Sequence, residues 1–459
     1  MAGTIDRVLS RAITTGTRWV ASVSANRVAK NSLYNVLGLV VPILLLVIFT
    51  PLLVGRMGIE NYGLWTLSVS ALGLMGVFEF GLGTAMAKFI AEYSAQHDTE
   101  GLSATATVGF TLYLTIGVML TLPLFFLAPK IARLFPSSTL SLEAIQEAIR
   151  LTSLGLVPLL LKTGGLAVPM GLQRFEVPNV VRIAHNALML TIALIVVSLG
   201  GSVEYVILST VLLMWIIGLI SVGIAFRILR PMGARPLFSR GHLRMILGFA
   251  VFTGLTGVGG RIFSSMDRVV VGAVLGVSAV TYYVVGIGIA NKLLALTDVV
   301  SRALMPAASS WYTAGEVHRV WAYLRRATLA VALMSLVLAG VMLLSSGLFM
   351  RLWMGNEFAE QALTPFQILI LVYAVISINA PAFHIANGIG IPWISATGAL
   401  AGGAITIALI VVLGRSYGLE GVAWANAGYW VTLIIVVVTA AKLRDSERKQ
   451  HWSMDVNSY

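Results

Sequence analysis

Seven ionisable residues stand in stretches whose neighbours are nearly all apolar: Glu79, Lys162, Arg261, Asp267, Arg268, Lys292 and Asp298. A charge at the centre of a lipid bilayer costs at least about 2.5 kcal/mol on insertion scales, so such residues face a cavity or a partner. They are the groups best placed to do chemistry. Cations can hold an anion out of water, and carboxylates can bind a cation or close a gate. The stretch GGRIFSSMDRVVVGAVLG, Gly259 to Gly276, carries three of them. Arg261 and Arg268 are seven positions apart, about two helical turns, and share one helix face, whereas Asp267 points elsewhere. Asp267 and Arg268 fit structural contacts near the outer interface as well as they fit a cavity. Arg261, flanked by Gly254, Gly257, Gly259 and Gly260, reads as cavity lining.

The elements that hold these charges follow from composition. Of 459 residues, 58% are hydrophobic and only 11% are charged, and the mean hydropathy is +0.90. This is a polytopic membrane chain. A spanning helix needs about 20 mostly apolar residues, and twelve such windows are expected, over 32–55, 61–83, 106–129, 149–171, 180–200, 205–226, 245–276, 279–306, 327–350, 363–388, 391–414 and 419–443. Uninterrupted apolar runs, in place of alternating ten-residue segments, point to helices and exclude a barrel. The seventh window is long for one span, and a bend is expected at its glycines. Lys162 and Lys292 each lie about 20 Å from the outer end of their windows at 1.5 Å per residue.

Lys and Arg are retained on the cytoplasmic side. With the N-terminus inside, 21 of the 31 basic residues fall in or beside inner segments and 6 in outer ones. Both termini are therefore expected in the cytoplasm. The same asymmetry accounts for the net charge of +12 without nucleic acid, because the charge is spread over short loops beside an anionic leaflet. Residues 1–31 form a basic, amphipathic N-terminal segment. An N-lobe over 32–226, a basic linker over 227–244, a C-lobe over 245–443 and a tail over 444–459 complete the expected division.

Six spans in each half make the halves parallel repeats about an axis along the membrane normal. MGIENYGLW, from Met57, and LGVSAVTYY, from Leu275, place Gly58 and Gly276 in register. Glu79 and Asp298 fall within one residue of equivalence in the two halves. The expected fold is thus an all-α membrane protein of about 12 transmembrane helices, in two parallel six-helix pseudo-repeats around a central cavity.

Enzyme signatures are thin. The chain has no cysteine, its six histidines show no metal-ligand spacing, and no phosphate-cradling loop is visible. Neither a catalytic residue, a metal nor a cofactor is expected.

The stretch PLLVGRMGIENYGLWTLSVSALGLMGVFEFGLGTAMAKFIAEY, Pro51 to Tyr93, resembles the opening hairpin of Wzx-type polysaccharide and O-antigen flippases. These belong to the multidrug/oligosaccharidyl-lipid/polysaccharide (MOP) exporter superfamily, with the MATE drug exporters and the lipid II flippase. MGLQRFEVPN, from Met170, and SMDRVVVGAVLGVSAVTYY, from Ser265, resemble the loop after span four and the hairpin that opens the second half. The resemblance implies a flippase that carries a polyprenyl-diphosphate-linked oligosaccharide from the cytoplasmic to the outer leaflet of a bacterial inner membrane by alternating access. Its implied partners are that glycan lipid, membrane lipids and other polysaccharide-assembly proteins.

A diphosphate ester carries about two negative charges at neutral pH, and converging cations offset its desolvation. Arg261, Lys292, Lys162 and Arg268 are the candidates, with a structural pairing as the alternative for each Lys. Glu79, Asp298 and Asp267 are candidates for a gate or for coupling to H⁺ or Na⁺, with a helix-end acid as the alternative. Two other classes compete. A MATE-like drug exporter typically carries an acid in its first span, and 32–55 has none. A polymerase or glycosyltransferase usually shows a large outer loop, and the longest here is 130–148.

Overall fold

The computed structural model describes residue 41 and residues 43–456, the side chains of 252, 253, 255–264 and 449–456 excepted. The basic segment 1–31 and the end of the tail lie outside the described residues. No strand occurs among those described. The helices run α1 (Ile43–Met57), α2 (Ile59–Met75), α3 (Leu82–Ala95), α4 (Thr99–Ala132), α5 (Leu142–Leu154), α6 (Leu156–Gly171), α7 (Glu176–Ser198) and α8 (Val203–Leu229). They continue with α9 (Arg240–Leu275), α10 (Val277–Ser301), α11 (Leu304–Thr313), α12 (Val317–Met354), α13 (Asn356–Ser377), α14 (Ala380–Gly388), α15 (Pro392–Ala425) and α16 (Ile434–Val456).

Among the described residues, 8 helices are long and apolar enough to cross a membrane, or 9 with the bent pair Ile59–Glu79 and Leu82–Ala95 counted as one span. The expected count of twelve is not reached by this measure, since α1 and α9 are described only in part. The last passage, Pro392–Arg448, is 57 residues long, far beyond one bilayer thickness at about 1.5 Å per residue. It turns at Gly418 (φ 59°, ψ −137°), beside the predicted boundary between spans eleven and twelve. The outer surface is apolar, with Leu344 92% and Leu199 83% exposed, as lipid requires.

Several helices start on local signals. The Asp98 carboxylate accepts the N–H groups of Glu100 (3.0 Å) and Gly101 (2.9 Å) to cap α4, and the Ser141 hydroxyl accepts from Ala144 N–H (3.1 Å) to cap α5. Tight hairpins rest on single glycines. Gly58 (φ 79°, ψ 164°) joins α1 to α2 and Gly276 (φ 93°, ψ 172°) joins α9 to α10. That backbone region is essentially closed to residues with a Cβ, so the register read from the sequence reflects one shared turn. Gly355 (φ 91°, ψ 167°) repeats it between α12 and α13.

α2 is buried along its length by Tyr62, Leu64, Trp65, Leu67 and Leu72. It packs on α9 and α10 from the second half and on α5 and α8 from the first. Trp65 Nε1 donates to Thr210 Oγ1 on α8 at 3.1 Å. α9 continues as one helix through Gly254–Gly260, so the expected bend does not interrupt it. At Gly254 a Cβ would stand 2.5 Å from the Phe80 carbonyl oxygen, so this glycine serves close packing.

Candidate functional site

The charged residues sort into separate environments. On α9, Asp267 is buried, and its carboxylate accepts from the Tyr283 hydroxyl of α10 (2.8 Å) and from the backbone N–H of Arg268 (2.8 Å). The Tyr283 hydroxyl also lies 3.2 Å from Asn426 Oδ1, and Asn426 Nδ2 donates to the Val422 carbonyl (3.0 Å). Asp267 therefore ties α9 and α10 to the turn after α15. Arg268 reaches across to α2, where its Nη1 donates to Ser70 Oγ at 3.4 Å. Its buried Nε finds no hydrogen-bond partner among the described residues. This neighbouring pair makes structural contacts that bridge helices.

Arg261 lies on α9, but its side chain is outside the described residues. Lys292 on α10 and Lys162 on α6 are half-buried and form no ion pair or hydrogen bond with a described residue. Gly288, one turn before Lys292, faces Leu46 of α1. Lys162 lies within electrostatic reach of His185 on α7, whose buried Nδ1 has no described partner. α6 packs chiefly on α3, α4 and α8, so Lys162 enters from a different quarter of the bundle than Lys292 and Arg268.

The two acids matched in sequence register differ in what they touch. Glu79 is buried at the break between α2 and α3, where the chain turns by 51° through Phe80 (φ 44°) and Gly81 (φ 75°). Its Oε1 accepts from Gly83 N–H (3.1 Å), capping α3, and from the Tyr113 hydroxyl (3.3 Å). Asp298 accepts from Arg302 (Nε 2.9 Å, Nη2 2.8 Å) one turn on, and it lies 2.9 Å from His384 Nε2 of α14. It borders a cavity of about 370 Å³ with Asn291, Asn379, Ser395, Tyr429 and Thr432. Asn379 Oδ1 and Ser395 Oγ are buried there without a described partner. α13 and α14 break at Ile378 and Asn379.

The predicted outer end is sealed between the halves. Thr281 Oγ1 donates to the Ile59 carbonyl at 2.6 Å, and a Cβ on Gly63 would stand 2.2 Å from the Val277 carbonyl oxygen. Val277 N–H donates to the Pro136 carbonyl (3.1 Å). The Glu60 carboxylate collects the loop after α4, accepting from Thr139 N–H (3.1 Å), Thr139 Oγ1 (2.7 Å), Ser138 N–H (3.2 Å) and the Ser137 hydroxyl. Among the described residues no cluster of three or more His, Cys, Asp or Glu could hold a metal ion.

Sequence reasoning missed Tyr283, Asn426, Tyr113, Ser70 and His384. Tyr283 and Ser70 stood in quoted stretches, without a role assigned to either. His384 was discounted for want of metal spacing, and its proximity to Asp298 comes from the fold.

The many long apolar helices mark a multi-pass membrane protein. Two solved structures share the fold. One is an inward-facing multidrug resistance MATE family transporter of the MOP superfamily (TM-score 0.72, 16% identity, 88% of this chain and 95% of that one). The other is the lipid II flippase MurJ in an inward closed conformation (TM-score 0.70, 14% identity, 93% and 92%). Residues 28–312 match the family described as Polysaccharide biosynthesis protein, and the chain belongs to it. A putative O-antigen transporter of Shigella flexneri is 21% identical over 397 residues, covering 86% of this chain and 93% of the relative. An uncharacterized membrane protein, EpsK, of Bacillus subtilis is 22% identical over 411 residues, covering 86% and 78%.

Proposed function

We propose that this chain flips a polyprenyl-diphosphate-linked oligosaccharide from the cytoplasmic to the outer leaflet of a bacterial inner membrane, by alternating access between an N-lobe (32–226) and a C-lobe (245–443). The observation that carries the reading is that Lys292 and the Nε of Arg268 are left without a described partner, with Lys162 likewise unpartnered in another quarter of the bundle. Cations that the protein does not neutralise are available to an anion, and a diphosphate headgroup supplies the charge that offsets their desolvation. Arg261, seven positions before Arg268 in the sequence, is proposed as a further cation of this route. The glycan follows through polar surroundings while the polyprenyl tail stays in lipid.

The closed outer seal at Thr281–Ile59 and Gly63–Val277 fits a form open towards the cytoplasm. Loading there and parting of α2 from α10 would complete one cycle. Asp298 is the stronger of the coupling candidates, because it borders a cavity with two oxygens that have no described partner and lies 2.9 Å from His384 Nε2. Such a setting suits Na⁺ or a proton. Glu79, engaged in capping α3, fits a hinge at the 51° break, and Asp267 a tie that moves α9 with α10. Both termini lie in the cytoplasm in this scheme.

The test is in cells that depend on this chain for surface polysaccharide. Cells carrying Arg268→Ala should accumulate lipid-linked oligosaccharide on the cytoplasmic leaflet at normal membrane levels of the protein. Normal surface polysaccharide and no accumulation, for Arg268→Ala and Lys292→Ala alike, would remove the cationic route.

A further inference from the structure

A second site lies away from the seam, where the loop after α8 folds back over α4. Arg235 N–H donates to Ser103 Oγ (2.9 Å) and Leu237 N–H to Thr107 Oγ1 (3.0 Å). These bonds strap 230–237 across α4 and leave a cavity of about 780 Å³ beneath it. Arg227, Arg230 and Arg235 all line this cavity. None of the three makes an ion pair or side-chain hydrogen bond with a described residue. The nearby carboxylate of Asp98 is committed to capping α4. Three arginines around one cavity, with no ion pair to a described residue, supply the charge an anion site needs.

The opposite wall is apolar. Phe110 of α4 and Phe226 of α8 stack with centroids 5.7 Å apart and planes 18° from parallel. From Phe226 an exposed stripe runs back along α8 through Leu219, Ile216 and Leu212, and from Phe110 another runs along α4 through Leu114, Val118 and Leu122. The spacings of three, four and seven keep each set on one helix face. The pocket thus joins a cationic rim to lipid-facing grooves. α6 packs against both α4 and α8, which sets the pocket apart from the seam of α2, α9 and α10.

We propose that this pocket holds an anionic glycerophospholipid of the surrounding leaflet, its phosphate on Arg227, Arg230 and Arg235 and an acyl chain along the Phe110–Phe226 wall. A basic pocket between membrane helices suits such a headgroup. The occupant is a resident lipid that stays with the first half, not transported cargo, since the site faces outward from the bundle. The proposal does not depend on which glycan the chain moves.

The test uses the full chain purified in neutral detergent and titrated with dioleoyl phosphatidylglycerol or dioleoyl phosphatidylcholine, bound lipid being read by native mass spectrometry. An arginine near the surface contributes about fivefold in affinity for an anionic lipid, so three give a preference for phosphatidylglycerol on the order of a hundredfold. The triple variant Arg227→Gln, Arg230→Gln, Arg235→Gln should lose that preference, and the triple Arg→Lys variant should keep most of it. Removing the same charge elsewhere, through Arg174→Gln, Arg325→Gln and Arg326→Gln, should leave it intact. The proposal is overturned by equal binding of the two lipids to the wild-type chain, or by equal loss in the distant triple variant. It is also overturned if inorganic phosphate displaces phosphatidylglycerol at equal concentration, which would mark a free-anion site. Preferential displacement by a polyprenyl phosphate would mark a cargo site and overturn it as well.

Discussion

Gly63 sits where α2 crosses α10, and replacing it with alanine tests the outer seal. A Cβ there would stand 2.2 Å from the Val277 carbonyl oxygen, 2.9 Å from Thr281 Oγ1 and 3.1 Å from the Val277 carbonyl carbon. The nearest obstacle is backbone in the neighbouring helix, so no side-chain rotation relieves it. Contact distances of about 3.4 Å or more require the helices to part by about 1 Å, and overpacking of this kind costs about 1–3 kcal/mol. If that cost falls on the sealed form alone, the ratio of sealed to open molecules drops about 5- to 150-fold. The chain has no native cysteine, so spin labels can be placed at will on Arg133 and Glu357, exposed positions of the two halves on the side expected to face outward. In Gly63→Ala, pulsed electron resonance should show a longer inter-label distance gaining population over wild type. Gly223→Ala is the control, for a Cβ there meets nothing within 4 Å. An unchanged distance distribution in a folded Gly63→Ala protein would refute the seal.

Removing the Tyr283 hydroxyl with Tyr283→Phe strips a hydrogen bond from the buried Asp267 carboxylate, and the thermal midpoint in detergent should fall by the equivalent of about 1.5–3 kcal/mol. Glu79→Ala deletes the α3 cap and should cost about 0.5–2 kcal/mol by the same measurement. Asp298→Asn should abolish the dependence of transport on a H⁺ or Na⁺ gradient while leaving substrate binding in place; gradient dependence equal to wild type would reduce Asp298 to a structural acid. Reporters fused after Lys442 and within 227–244 should read cytoplasmic and one near Ser138 external, and a cytoplasmic signal near Ser138 would break the topology.

The membrane class and helical architecture were legible because apolar run length is a direct physical requirement of lipid. The matched turns at Gly58 and Gly276 were legible because only glycine accepts that backbone conformation. The register match of Glu79 and Asp298 was read from the sequence, but their partners were not legible there. Glu79 meets Tyr113 from 34 positions away, and Asp298 meets His384 from 86 positions away, separations that periodicity does not reach. Gly254 was read as a bend because glycine weakens helices, whereas here it lets α9 touch Phe80. The 230–237 strap was visible only as a basic loop. Its two hydrogen bonds to Ser103 and Thr107 are what turn three scattered arginines into a pocket.

The central claim is tested most directly by reconstituting the purified chain in sealed proteoliposomes. A polyprenyl-diphosphate-linked oligosaccharide is loaded in the inner or outer leaflet, and its arrival in the opposite leaflet is followed with an impermeant glycan-modifying reagent. Wild-type protein should move the lipid-linked glycan much faster than protein-free vesicles. Arg261→Ala and Lys292→Ala, inserted to the same level, should abolish the movement, while Arg261→Lys should retain part of it because charge is kept and the guanidinium fork is lost. Translocation at the protein-free rate by the wild-type chain, or at the wild-type rate by both alanine variants, would contradict the account.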